Sequence, residues 1–287
     1  MTELDRLLAA AAGRLAAAGV PSPRHDAEVL AAHVLRVARG QLAAVGRVDA
    51  AARAAFEELV ARRVRREPLQ HLTGTAGFRE VSVAVGPGVF VPRPETEVLA
   101  GEAVRLLRAR QAAGEPAPVA VDLGTGSGAI ALALATEVPG AVVHAVEREP
   151  AALAWAAGNL AGSGVLLHAG DLADALPELA GGVDLLVSNP PYVPLEAYES
   201  VQVEARDFDP PSALWAGPDG LDAIRAVAAT AARLLRPGGH LLVEHADVQG
   251  VAVPALLAAA GGWGGILDHP DLTGRPRFTS ARKEPGA

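Results

Sequence analysis

A chain of 287 residues, half of them hydrophobic and one fifth charged, can bury one large core or two modest ones and is too apolar to be disordered. It has no cysteine, which excludes disulfides, thiolate metal sites and cysteine nucleophiles, and its eight histidines show no ligand spacing, so no metal is expected. A net charge of −8 argues against a general nucleic-acid binder.

The first 73 residues carry 11 arginines against 8 acids and read as all helix. Thr2 with Asp5 forms a capping box ahead of an apolar-periodic run to about residue 18. Ser22-Pro23 reads as a cap with proline at the first helical position, opening a helix to about residue 38. Asp49 caps a third helix, to about residue 66. Its basic run Arg62-Arg63-Val64-Arg65-Arg66 is expected to be a solvated face. The whole is a small bundle over residues 1–73. Residues 74–92 form a linker, predicted as a hairpin of 78–85 and 89–91 around Gly86-Pro87-Gly88.

Residues 93–287 then alternate. After Pro94 a helix runs to about residue 111, followed by strand 119–123, helix 129–137, strand 142–146, helix 151–160 and strand 165–168. Strand 185–188, helix 221–235, strand 241–245, helix 251–259 and two closing strands near 264–268 and 277–281 complete the series. The pattern predicts an α/β fold, a doubly wound, mostly parallel sheet of seven strands, with its ligand at the carboxyl ends of the central strands. With only 3% aromatic residues, the core is built from Leu, Val and Ala. The longest uncharged stretches, 150–170 and 248–267, are broken by Asn159, His168, Pro254 and several glycines, so no membrane span is expected. The opening Met-Thr-Glu-Leu-Asp lacks the basic region of a signal peptide, and a cytoplasmic location follows as the expectation.

The first chemical motif is Asp122-Leu123-Gly124-Thr125-Gly126-Ser127-Gly128, where a strand turns into a helix. Glycines there let the backbone turn sharply and approach a ligand that a Cβ would exclude. Gly124, Gly126 and Ala129 also satisfy the dinucleotide fingerprint, so a nicotinamide enzyme stays open at this point. Glu147, ending the next strand, suits the two hydroxyls of a ribose. Asp171, after the third strand, could accept from an adenine amino group, with Leu172 against the ring.

The decisive motif is Ser188-Asn189-Pro190-Pro191-Tyr192. Two prolines stiffen the turn and remove two N–H donors, leaving carbonyl acceptors. Asn189 adds an amide oxygen and Tyr192 a ring. Together they describe a pocket for a planar –NH2 group, an amide or an aromatic amine. No hydride-transfer pattern accompanies the glycine loop, and the nicotinamide reading leaves this motif unexplained.

These two motifs, in this order, resemble class I S-adenosylmethionine-dependent methyltransferases acting on amino nitrogens. The segments Pro68-Leu69-Gln70-His71-Leu72-Thr73-Gly74, Val91-Pro92-Arg93-Pro94-Glu95-Thr96-Glu97 and Leu272-Thr273-Gly274-Arg275-Pro276-Arg277-Phe278 narrow the likeness to the HemK-type glutamine N5-methyltransferases. The resemblance implies a Rossmann-like catalytic domain, S-adenosylmethionine as cofactor, and class I peptide-chain release factors as substrate, methylated at the glutamine of Gly-Gly-Gln. It also implies residue roles. Gly124, Thr125, Gly126, Ser127 and Gly128 line the methionine and ribose portions of the cofactor, and Glu147 the ribose hydroxyls. Asp171 and Leu172 flank the adenine. Asn189, Pro190, Pro191 and Tyr192 hold the glutamine amide, with Asn189 and Tyr192 as catalytic residues and Asn189 also near the cofactor. Phe90 is a candidate for the opposite pocket wall. Many members carry Asp where Glu147 stands, and an aromatic near Leu172. The same chemistry on a ribosomal-protein glutamine, or on an exocyclic amine of rRNA or DNA, is the alternative. A monomer without stable nucleic-acid binding is expected.

Overall fold

A computed structural model describes residues 2–286. The chain forms two compact units, one reaching Thr75 and including Gln202–Phe208, the other holding Ala76–Val201 and the chain from Asp209 onward. A linear division into 1–73, 74–92 and 93–287 places the short segment 202–208 in its last part, whereas here it groups with the first unit.

In the first unit, α1 (Glu3–Ala17) starts at the expected capping box, with the Asp5 N–H on Thr2 Oγ1 at 3.1 Å and the Thr2 N–H on Asp5 Oδ2 at 2.8 Å. Helix α2 (Pro23–Leu35) has proline at its start, but Ser22 makes no side-chain cap. It also stops short of residue 38, because Arg36 turns left-handed at φ 55°. A 3-10 turn (Arg39–Ala44) leads to α3 (Ala50–Val64), capped by Asp49 through the Ala52 N–H at 2.8 Å. A short α4 (Leu69–Thr73) ends at Gly74, φ 76°. Leu4, Leu8, Leu15, Leu30, Phe56 and Val60 fill the core between these helices.

The arginine run is not a solvated face. The Arg63 side chain is 6% exposed and donates to Asp26 Oδ2 at 2.8 Å and to Glu204 Oε1 at 2.9 Å. Arg66 grips both oxygens of Glu204, at 2.8 and 2.6 Å, and Arg62 pairs with Glu67. Two arginines need a carboxylate far away in sequence, which no local pattern announces.

The second unit opens with a two-stranded hairpin, β1 (Thr75–Phe78) and β2 (Val81–Ala84), turning at Arg79-Glu80 with Arg79 at φ 50°. The predicted turn was Gly86-Pro87-Gly88, and residues 89–91 form no strand. Those glycines serve close packing instead. A Cβ on Gly86 would stand 2.7 Å from Trp155 Cζ2, and one on Gly88 2.9 Å from Ala151 Cβ.

Helix α5 (Thr96–Ala112) precedes the sheet. In chain order follow β3 (Val119–Leu123), α6 (Ala129–Glu137), β4 (Val142–Glu147), α7 (Pro150–Asn159), β5 (Leu166–Ala169) and β6 (Val183–Ser188). After the short α8 (Val203–Phe208) of the first unit come α9 (Asp222–Leu234), β7 (Leu235–Glu244), α10 (Ala252–Ala260), β8 (Trp263–Pro270) and β9 (Pro276–Lys283). The seven strands lie in the order β5-β4-β3-β6-β7-β9-β8, parallel except where β9 pairs with its neighbours. Strand β7 begins six residues before its predicted start because Leu235 already pairs with Val183; the register then shifts, and regular pairing resumes at His240 opposite Leu185.

Strand residues alternate between two cores, as a sheet covered on both faces requires. Ala120, Val143, Leu185 and Val187 pack with α5, α6 and α7. Val121, Val146, Leu186 and Val243 pack with α9 and α10. From β3 the chain winds outward through β4 and β5, then returns to β6 on the other side. That reversal opens a crevice at the carboxyl ends of β3 and β6. Among the described residues no helix is long and apolar enough to cross a membrane.

Candidate active site

Leu123 and Ser188 are register partners on adjacent parallel strands, so Gly124 and Asn189 leave the sheet side by side. The Ser188 hydroxyl donates to the Leu123 carbonyl at 2.7 Å and pins the two ends together.

The turn after β3 is built from backbone. The Gly124 and Thr125 N–H groups both donate to the Val146 carbonyl at 2.9 Å. Gly124, Gly126 and Gly128 have φ of 70°, 57° and 84°, which L-residues seldom adopt. A Cβ on Gly124 or Gly126 would meet nothing within 4 Å, so open space lies over the loop. Asp122, fully buried, caps α6 from the strand, its Oδ2 accepting from the Thr125 hydroxyl at 2.6 Å and the Ala131 N–H at 3.2 Å. Its Oδ1 has no hydrogen-bond partner among the described residues, and burial pushes the carboxyl up to about 7. Asn159 at the end of α7 braces the loop from behind. Its Nδ2 donates to the Ser127 carbonyl at 2.8 Å and the Ala84 carbonyl at 2.9 Å.

Glu147 is 7% exposed and joined to this loop. Its Oε2 accepts from the Gly126 N–H and its Oε1 from the Arg148 and Glu149 N–H groups, all at 2.9 Å. A carboxylate has about four lone-pair sites, so capacity for hydroxyls remains. Asp171 accepts from the Ala173 N–H and from Arg148 Nη1, each at 2.9 Å, and the first of these contacts leads in holding its carboxyl below the usual range. Leu172 packs partly on the sheet's second core. The glycine loop and Glu147 thus meet directly. Asp171 is joined to them through Arg148, whose guanidinium it accepts from and whose N–H donates to Glu147.

The turn after β6 is built from side chains. Asn189 Nδ2 donates to Thr96 Oγ1 at 3.2 Å, so its amide nitrogen is committed inward. Among the described residues no donor reaches Asn189 Oδ1 or the carbonyls of Asn189 and Pro190. Pro190 is buried and Pro191 partly so. Tyr192 turns inward, its ring against the second core and its hydroxyl 3.4 Å from Glu244 Oε1, a long contact. Burial, with Glu244 beside it, raises the phenol above its ordinary value. Glu244 is 1% exposed, and burial pushes its carboxyl up to about 7. Thr96, Glu244 and Asn159 were missed by sequence reasoning. For Glu244 a signal existed, a carboxylate closing the apolar run Leu241-Leu242-Val243.

Phe90 lies partly buried outside any strand, with the Arg93 guanidinium 4.8 Å from its ring centroid. Arg93 itself pairs with the buried Asp209, whose carboxyl burial pushes up to about 6. The segment before α5 is thereby tied to the chain that follows α8.

A Rossmann-like sheet carrying a glycine turn on β3, an acid ending β4 and Asn-Pro-Pro-Tyr after β6 defines an S-adenosylmethionine-dependent methyltransferase. Two family descriptions agree. The PrmC N-terminal domain matches residues 6–74 and the Methyltransferase small domain matches residues 87–205. A release factor glutamine methyltransferase of Streptomyces coelicolor is 56% identical over 96% of this chain and 96% of its own. Another, of Mycolicibacterium smegmatis, is 50% identical over 99% of each. A 4-amino-L-phenylalanine/4-methylamino-L-phenylalanine methyltransferase of Streptomyces pristinaespiralis is 44% identical over 93% of this chain and 91% of its own. The chain belongs to the release factor glutamine methyltransferase family.

Proposed function

We propose that this protein transfers a methyl group to the side-chain amide nitrogen of the glutamine in the Gly-Gly-Gln motif of class I peptide-chain release factors. The observation that carries the reading is the commitment of Asn189 Nδ2 to Thr96. It leaves an outward rim of acceptors only, the Asn189 oxygen and the carbonyls ahead of two prolines. Such a rim suits an –NH2 group with two hydrogens to place and disfavours a carboxylate, which would bring lone pairs against lone pairs. Family membership points to the same nitrogen.

The residues present fit S-adenosylmethionine. The open, left-handed turn Gly124–Gly128 would hold its methionine and ribose portions, Glu147 its ribose hydroxyls, and Asp171 with Leu172 its adenine. When bound, the cofactor supplies the methyl group on a positively charged sulfur, a good leaving group. The chain supplies placement. Asn189 Oδ1 and the Pro190 carbonyl accept the two amide hydrogens and hold the nitrogen out of conjugation with its carbonyl. Those acceptors strengthen as the nitrogen gains positive character, which favours the transition state over the ground state. The proton leaves late, to water or along the same carbonyls. The helical first unit serves as the substrate-recognition domain, and the protein acts in the cytoplasm as a monomer without stable nucleic-acid binding.

Single-turnover incubation with labelled S-adenosylmethionine tests this. Label should enter a release factor at the glutamine amide, by mass spectrometry, and be absent from a factor with that glutamine changed to glutamate. Label appearing only in RNA, DNA or a ribosomal protein overturns the substrate. So does faster methylation of free 4-amino-phenylalanine, the substrate class named for one relative.

A further inference from the structure

Leucine and valine belong inside a fold, so those left in water are informative when they gather in one place. Among the described residues the three most exposed large apolar side chains are Leu272 at 93%, Val251 at 84% and Val248 at 82%. All three lie past the carboxyl end of β7, the end at which Asn189 leaves β6, since Val243 is the register partner of Ser188. Strand β9 runs back alongside β7, with Phe278 opposite Glu244, and pairs with β8 down to Pro270 opposite Pro276. The turn 271–275 between β8 and β9 therefore projects beyond the same edge. With strands about 4.8 Å apart, it stands roughly 10–15 Å from Asn189 along that edge.

Hydrogen bonds and close packing join these residues to the turn after β6. The buried Gln249, between the two valines, donates from Nε2 to the Tyr192 carbonyl at 3.1 Å and accepts the Ala246 N–H at 2.9 Å. Gly250 packs on the hairpin, where a Cβ would stand 2.6 Å from Pro276 Cβ. The hairpin turn is firmly built as well. Asp271 Oδ1 accepts from the Thr273 N–H at 2.8 Å, the Thr273 hydroxyl at 2.6 Å and the Arg275 N–H at 3.2 Å, and Gly274 turns at φ 81°. Such a frame holds Leu272 outward before anything binds, so little ordering entropy is lost when it is covered. Its place on the edge says what covers it. A small amine needs no such rim, whereas a protein must rest its body beside the crevice while one glutamine enters. Resting on the proposed function, we propose that Val248, Val251 and Leu272 form a docking rim for the release factor, covered by an apolar patch of its surface roughly 10–15 Å from the glutamine.

Steady-state methylation of an intact release factor tests the rim. Leu272→Ser should raise KM for the release factor about tenfold, and the triple variant Val248→Ser/Val251→Ser/Leu272→Ser about 100-fold. In both, kcat at saturation and S-adenosylhomocysteine affinity by calorimetry should stay as in wild type. Leu272→Met, still apolar, should keep the wild-type KM, and so should Leu166→Ser, at an exposed position that starts β5 on the opposite edge of the sheet. An unchanged KM in the triple variant, an equal rise in Leu272→Met or Leu166→Ser, or a fall in kcat alone would overturn the proposal. So would sedimentation that finds a wild-type dimer dissociated by Leu272→Ser, which gives the rim to a second copy of the chain. If the triple variant does not fold, the Leu272→Ser and Leu272→Met pair decides. If the wild-type protein labels a different protein, the release-factor reading fails and the same variants, compared on that protein, decide the rim. Label only in nucleic acid or in a free amino acid overturns both.

Discussion

Two turns meet at the carboxyl end of the sheet, and they are made in opposite ways. The turn after β3 is held by main-chain groups, the Val146 carbonyl taking two N–H donors and three glycines supplying left-handed backbone. The turn after β6 takes its geometry from side chains brought from afar, Thr96 from the start of α5 and Glu244 from the end of β7. A cofactor can be met by backbone, which few substitutions alter. In the proposed reading the substrate amide meets one backbone carbonyl, that of Pro190, and one side-chain acceptor, Asn189 Oδ1, which another side chain must hold in place.

The difference can be broken from either side. Asn189→Ala removes the proposed substrate acceptor and should lower kcat about 10²–10³-fold while S-adenosylmethionine affinity falls far less. Near wild-type single-turnover rates would reduce the second turn to a structural one. Asn189→Asp keeps the shape but should also lose most activity, since its charge must be desolvated beside the incoming amide.

Glu147→Ala acts on the other turn. If Glu147 holds the ribose as proposed, losing those charge-assisted hydrogen bonds should weaken S-adenosylmethionine about tenfold or more by calorimetry. The Gly126 N–H also loses its acceptor, so the loop should exchange amide hydrogens faster.

Gly128→Ala sharpens the comparison within the fold. The residue sits at φ 84°, and its Cβ would come within 3.0 Å of Leu160 Cγ. A cost of about 1–2 kcal/mol is expected from the backbone alone, seen as a fall in Tm of a few degrees. An equivalent substitution at Pro191, where no such backbone is needed, should move Tm less.

The smallest effect concerns pH, and it is shared by both turns. Asp122 and Glu244 have folded-state values raised by burial to about 7, so their contribution is full below the unfolded value near 4 and is lost as pH rises toward 7. The buried His144 and His245 and the half-buried His240 have values lowered first of all by desolvation, so they oppose this, costing stability as pH falls through about 6.5. Asp122→Asn and Glu244→Gln should therefore each compare better with wild type at pH 8 than at pH 5, by about 1–2 kcal/mol in denaturant titrations. An equal difference at both values would show that the two carboxyls titrate normally.

The central strands and helices were legible because each apolar run is punctuated by glycine, proline or an acid; β3 and α6 fall on their expected residues. The hairpin was not, because Gly86 and Gly88 look like turn residues in sequence yet exist to let Trp155 and Ala151 approach. Asn189 was legible as a motif, and so was Glu147. Thr96 was not, since a hydroxyl acquires meaning only when the fold brings Asn189 to it, and Glu244 offered only the faint signal of an acid closing the run Leu241-Leu242-Val243. The arginine run was misread for the same reason, its partner Glu204 being 138 residues from Arg66.

That separation has a consequence for how the protein is made. At about 5–20 residues per second, Glu204 emerges on the order of ten seconds after Arg66. Asp26 is already present to hold Arg63, but Arg66 must wait in water for its bidentate carboxylate. The helical unit therefore matures late, acquiring its last ion pairs only after the ribosome has passed Asn189.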